Sequence, residues 1–175
     1  MMAGLTLAGL NAGSKDAFVT ALGHVVEHSA WVAERAWERR PFASIDALHA
    51  AMVEALSTAG ADAQLAVLRA HPDLGARARM SEASAGEQAG AGLDRLTPDE
   101  FARLQQLNHD YRETFGFPFL FAVRGATTPQ ILAALERRLA ASRDAEFTEA
   151  LGQVARIVRF RLDSLLAEGR VGGVG

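Results

Sequence analysis

Apolar residues recur every three or four positions along nearly the whole chain, and this period restricts the fold more than any other feature. Phe147, Leu151, Val154, Val158, Leu162 and Leu165 trace one helical face. Ile45, Leu48, Met52 and Leu56 trace a second. Phe101, Leu104, Leu107 and Tyr111 trace a third, with the polar Asn108 at its edge. No run alternates with period two over a useful length, so no sheet is expected. The reading is an all-α, single-domain helical bundle spanning residues 1–175, with its core at about 14–168 and flexible termini. The glycine-rich Val171 to Gly175 is expected to fray. One short extended, largely buried segment is expected around 117–123. There Pro118, following Gly116, forbids a continuous helix.

Capping chemistry marks the helix starts. Thr97-Pro98-Asp99-Glu100 offers a cap, a proline at the first helical position and a glutamate that reaches back. Thr128-Pro129 is read as opening the next helix in the same way, and Ser44 as capping the helix of Ile45 to Leu56. Ser84-Ala85-Gly86-Glu87 reads as a capping box before a short helix. The surrounding stretch from Gly75 to Gly92, rich in Ala, Gly and Ser, is the expected irregular region.

Composition removes several function classes. The chain has no cysteine, which excludes disulfides, thiol nucleophiles and cysteine-held zinc or iron–sulfur groups. A net charge of −3 with no basic stripe argues against nucleic-acid binding. No apolar run approaches membrane-spanning length, and Met1 to Asn11 lacks the basic start of a signal peptide. No membrane role is expected, and a cytoplasmic location is.

Three segments could carry chemistry. In His71-Pro72-Asp73-Leu74-Gly75 the proline ends the stretch Leu65 to Ala70, leaving the imidazole at a helix C-terminus, where its charged form is favoured. A group titrating near neutrality suits proton transfer, although a capping or packing histidine has the same signature. Ser84 to Gln88 places a carboxylate beside an amide, and its spacing is equally that of a simple cap. Phe115 to Gly125 presents Arg124 after an apolar run; a guanidinium there could grip carboxylate or ureide oxygens, or lie on the surface. His24-Val25-Val26-Glu27-His28 matches the H-x-x-E-H pattern of some zinc peptidases but has no evident third ligand. The bland alternative is a partly exposed helix face. His49 is expected to pack, and His109 could be buried or exposed. No nucleophile elbow, phosphate loop or dinucleotide fingerprint occurs.

Taken together, the segments resemble the OHCU decarboxylase family, which acts on 2-oxo-4-hydroxy-4-carboxy-5-ureidoimidazoline. The pieces occur in family order: GHVVEHSAWVAERA from Gly23, Arg40-Pro41-Phe42, AHPDLG from Ala70 and SAGEQAGAGLDRL from Ser84. Leu107-Asn108, FGFPFLFAVRG from Phe115, Ile131-Leu132 and Arg161-Leu162 follow. They cover about Phe18 to Leu165. The resemblance implies an all-α fold, no cofactor and no metal, and release of CO2 to give (S)-allantoin during urate degradation. It implies His71 and Glu87 as the catalytic pair. Pro72, Ser84, Gln88 and Arg124 would line the substrate site, with the main chain from Phe119 through Phe121 to Val123. Ala30 departs from the family's proline, Gly86 replaces a larger residue and would loosen a turn holding Glu87, and the segment between Gly75 and Ser84 is short.

Expected partners are a small ureidoimidazoline substrate and a second copy of the chain, since symmetric dimers are the commonest assembly. The competing readings are a non-catalytic helical binding module, a zinc hydrolase on His24, Glu27 and His28, and an enzyme for a related carboxylated ureide.

Overall fold

The helical period is realised almost throughout. The computed structural model describes residues 4–76 and 82–171, with side chains to residue 167. The expected fraying beyond residue 171 and residues 77–81 of the stretch expected to be irregular thus lie outside the described residues. Most of the rest of that stretch, from Gly75 to Gly92, is not irregular but forms a helix, Glu82–Gly90, since its alanines, glutamates and glutamine favour helix enough to outweigh its glycines.

Among the described residues there are nine helices and no strand. They are α1 (Leu7–Ala12), α2 (Lys15–Leu22), α3 (Trp31–Trp37), α4 (Ile45–Ser57), α5 (Ala61–Ala70), α6 (Glu82–Gly90), α7 (Pro98–Phe115), α8 (Thr128–Arg138) and α9 (Arg143–Val171). No helix among the described residues is long and apolar enough to cross a membrane.

The contacts form two compact units. One runs to Val67 and resumes at Ala155; the other is Leu68–Val154. In the first unit α3 packs on α2 and α4. Its core includes Phe18, Leu22, Leu48, Met52 and Leu162, each at most 1% exposed. Fully burying side chains of this size contributes about 1.5–3 kcal/mol each. His49 packs within this unit as expected, its Nε2 lying 2.8 Å from the Ala155 carbonyl.

The second unit is built around aromatic rings. Tyr111 sits among Phe115, Phe117 and Phe119 at centroid distances of 4.6, 6.0 and 5.4 Å, and Phe147 meets Phe117 edge-on at 5.9 Å. Such arrangements add about 0.5–1.5 kcal/mol per pair beyond area burial.

Caps explain most helix starts. Thr97 and Glu100 form the expected capping box of α7, and the Ser44 hydroxyl accepts from the Ala47 N–H at the start of α4. Two starts differ from the sequence reading. The cap of α8 is Thr127, one residue earlier than read, because Gln130 lies three residues after it and completes a capping box. The Ser84–Glu87 pattern is no cap, since both residues lie inside α6, which starts at Glu82. Four-residue capping spacing and one helical turn are nearly the same length, so the motif fits either place.

The segment from His24 to His28 is not the helix face expected of it. Gly23 closes α2, and His28 takes φ +49°. Val25, Val26 and Glu27 are buried one after another, which a one-sided surface helix cannot do. Arg161 from α9 fixes this turn: it donates to the Val25 carbonyl at 2.9 Å and pairs with the Glu27 carboxylate at 3.1 Å.

Candidate active site

All the residues that the family resemblance implies for the catalytic and substrate site lie in the second unit, whereas His24, Glu27 and His28 lie in the first. His71 follows the last residue of α5, as Pro72 requires, and its N–H reaches back to the Leu68 carbonyl at 3.3 Å. It is buried, at 5% exposure, while Pro72 beside it is half-buried.

The turn that follows His71 is held from three directions. The Gln88 side-chain oxygen accepts from the Gly75 N–H at 2.8 Å. The Asn108 amide donates to the Leu74 carbonyl at 2.9 Å. Arg112 pairs with Asp73 at 2.9 Å. Gly75 itself has φ +71°, and a Cβ on it would come within 2.6 Å of a Leu104 methyl. The turn therefore needs glycine both for its conformation and for its approach to α7.

Helix α6 carries the next group. Ser84 and Gln88, one turn apart, are both buried, and Glu87 is half-buried beside Gln88. Because Gln88 is bonded to Gly75, the helix bearing Glu87 is tied directly to the turn bearing His71. Gly86 sits mid-helix with open space around its Cα, so it does not loosen a turn; its cost is the lower helix propensity of glycine.

The third piece is the segment from Phe117 to Val123, which has neither helix nor strand, as expected. Phe117 and Phe119 are fully buried, Val123 is buried, and Phe121 is half-buried with its ring stacked on Phe119 at 5.9 Å. Arg69, two residues before His71, donates to the Gly116 carbonyl at 3.0 Å, so this segment and the His71 turn start from a shared anchor. The segment ends in a tight turn, where the Ala126 N–H meets the Val123 carbonyl at 2.9 Å and Gly125 takes φ +80°. Arg124 is exposed on that turn.

Sequence reading missed the polar cluster behind this segment. Arg138, Glu146 and Gln153 are all buried, at 6%, 2% and 6% exposure. Arg138 pairs with Glu146 at 2.7 Å and donates to the Leu120 carbonyl at 2.6 Å. Tyr111 donates to the same Glu146 oxygen at 2.6 Å, and Gln153 accepts from the Ala122 N–H at 2.9 Å. A signal was present. Arg138 continues the buried stripe Ile131, Ala134, Leu135, and Glu146 and Gln153 fall in phase with Ala150 and Val154. Charged residues at core positions are rarely there without a buried partner.

The zinc reading has no support in the geometry. His24 and His28 are exposed, Glu27 is engaged by Arg161, and the described residues hold no group of three or more His, Asp or Glu able to bind a metal ion.

Among the described residues the chain is all-helical, and in the second unit the polar candidates lie on one histidine turn, one short helix and one buried main-chain segment. The particular family follows from its relatives. The sequence profile of OHCU decarboxylase matches residues 11–163, and the chain belongs to the OHCU decarboxylase family. It is 47% identical to 2-oxo-4-hydroxy-4-carboxy-5-ureidoimidazoline decarboxylase of Halalkalicoccus jeotgali, over 94% of this chain and 93% of that one. It is 49% identical to the protein of the same name from Haloferax volcanii, over 90% and 94% of the two chains. Its fold matches a crystal structure of (S)-allantoin synthase with a TM-score of 0.77 and 34% identity, covering 93% of this chain and 54% of that one.

Proposed function

We propose that this chain removes CO2 from 2-oxo-4-hydroxy-4-carboxy-5-ureidoimidazoline to give (S)-allantoin, as a step in urate breakdown. Identity of 47–49% to decarboxylases of that name, over at least 90% of each chain, supports the reaction. The observation that carries the site is the Gln88–Gly75 bond, which couples the helix of Glu87 to the turn of His71. The family profile spans residues of both compact units, which supports reading the chain as one catalytic domain.

The substrate dictates what the site must do. Its carboxylate sits on the ring carbon that bears the hydroxyl, beside an imine carbon that carries the ureido group. When the carbon–carboxylate bond breaks, its electron pair forms a ring double bond and the imine nitrogen takes up charge and a proton. The resulting enol then becomes a carbonyl as the neighbouring carbon is protonated on one face. The substrate thus provides its own electron sink, and the reading includes no cofactor.

In this reading His71 delivers the proton, and Glu87 accepts hydrogen bonds from the hydroxyl or ureido groups. Ser84 and Gln88 orient the ring, with Pro72 forming part of its wall. Arg124 and the main chain from Phe119 through Phe121 to Val123 hold substrate oxygens. A positioned acid contributes about 10²–10⁴-fold to rate. Fixed donors around the developing charge contribute a comparable amount. A cytoplasmic setting and a symmetric homodimer complete the proposal.

The test generates the substrate in place from urate with the two upstream enzymes and follows circular dichroism. Rapid growth of the (S)-allantoin signal is expected, ahead of racemic spontaneous decay. His71→Asn should cut turnover by about 10²–10⁴-fold with the fold intact; near-normal turnover would remove His71 from its role.

A further inference from the structure

The polar cluster behind residues 117–123 has no role in the chemistry just described, yet its bonds end on the main chain of that segment. Glu146 accepts from Arg138 at 2.7 Å and from Tyr111 at 2.6 Å, so its carboxylate is held on two sides. The guanidinium so placed donates to the Leu120 carbonyl at 2.6 Å and lies 4.5 Å from the centre of the Phe119 ring. Two residues on, the Ala122 N–H is taken by Gln153.

A buried ion pair is seldom needed for stability, because apolar residues of similar volume often serve as well or better. What apolar residues cannot do is grip a carbonyl. The segment from 117 to 123 has no helix or ladder to set its backbone, so its shape is held by side chains from α8 and α9.

We propose that Arg138, fixed by Glu146 and Tyr111, is a positioning residue that sets the main chain of residues 119–123 against the substrate. This rests on the substrate-binding role assigned to that segment above. Arg138 acts through Leu120 and Phe119 and does not itself touch substrate.

The decisive variant is Arg138→Met with Glu146→Leu, which keeps volume and removes both charges together. The expected result is a folded protein with a lowered melting temperature, since the Tyr111 hydroxyl and the Leu120 carbonyl lose their partners. Its kcat should be about 10–100-fold lower, the effect of a misplacement on the order of 1 Å, with a smaller change in KM. Amides of 119–123 should exchange with solvent at least tenfold faster, while those of α7 and α9 keep their protection. A folded variant with wild-type kcat and unchanged exchange at 119–123 overturns the proposal. If the double variant does not fold, Arg138→Lys keeps the charge opposite Glu146 but shortens the reach to Leu120. Amides at 119–123 as protected as in wild type would then overturn it equally. If the wild-type protein does not decarboxylate the substrate, the functional reading fails on that result alone. Exchange at 119–123 then decides the positioning role.

Discussion

Tyr111→Phe removes one hydroxyl from a buried polar cluster, and its effect can be worked out in advance. The ring keeps its contacts with Phe115, Phe117 and Phe119, so no cavity forms. The loss is a 2.6 Å hydrogen bond to a buried carboxylate that retains Arg138 as a second partner. Hydrogen bonds to charged groups contribute about 1.5–3 kcal/mol, and with Glu146 still paired no orphaned charge adds to this. For a chain of this size that is a fall in melting temperature of about 3–12 °C.

The pH dependence gives a sharper test. Burial first, and then the bond to Glu146, hold the Tyr111 hydroxyl well above its ordinary value of 10.0. The folded state therefore keeps a proton that the unfolded state loses above about pH 10, so the stability from this group is whole below that pH and declines above it. At about pH 11 the unfolded wild-type chain gains about 1.4 kcal/mol from ionising this tyrosine, and Tyr111→Phe cannot. The stability gap between the two proteins should narrow by that amount. Tyr111 is the single tyrosine of the chain, so tyrosinate absorbance reads it alone. A folded wild-type protein whose tyrosine ionises with a midpoint near 10, or a stability gap constant from about pH 7 to 11, would refute the argument.

Other substitutions probe the remaining supports. Gln88→Leu strips the acceptor from the Gly75 N–H and should cost about 1–3 kcal/mol in chemical denaturation, with a fall in turnover because the His71 turn loses its tie to α6. Gly86→Ala should stabilise by about 0.5–1 kcal/mol, read as a higher denaturation midpoint, since a Cβ there meets nothing within 4 Å; a lower midpoint would contradict the placement of Gly86 within α6.

Legibility in the sequence followed the range of the interactions. The faces of α4, α7 and α9 were readable because helical period is local, and so were the caps at Ser44 and Thr97. The break at His71-Pro72 and the irregular run around Pro118 were readable because proline acts on its own neighbours. The cap of α8 was misplaced by one residue where two threonines adjoin, and only the partner at Gln130 decides between them. The turn at 23–28 was misread because what shapes it, Arg161, lies 134 residues from Glu27. The Arg138–Glu146 cluster was missed for a related reason. Its residues come from three helices, and no short motif contains them.

The distribution of chromophores over the two compact units has a practical consequence. Both tryptophans of the chain, Trp31 and Trp37, belong to α3 in the first unit, whereas the single tyrosine belongs to α7 in the second. Each unit thus carries its own optical reporter without any labelling. Tryptophan emission and tyrosine absorbance, followed through one denaturant titration, report whether the units come apart as one cooperative body or in sequence. The absence of cysteine leaves every surface position open to a unique thiol should a third probe be wanted.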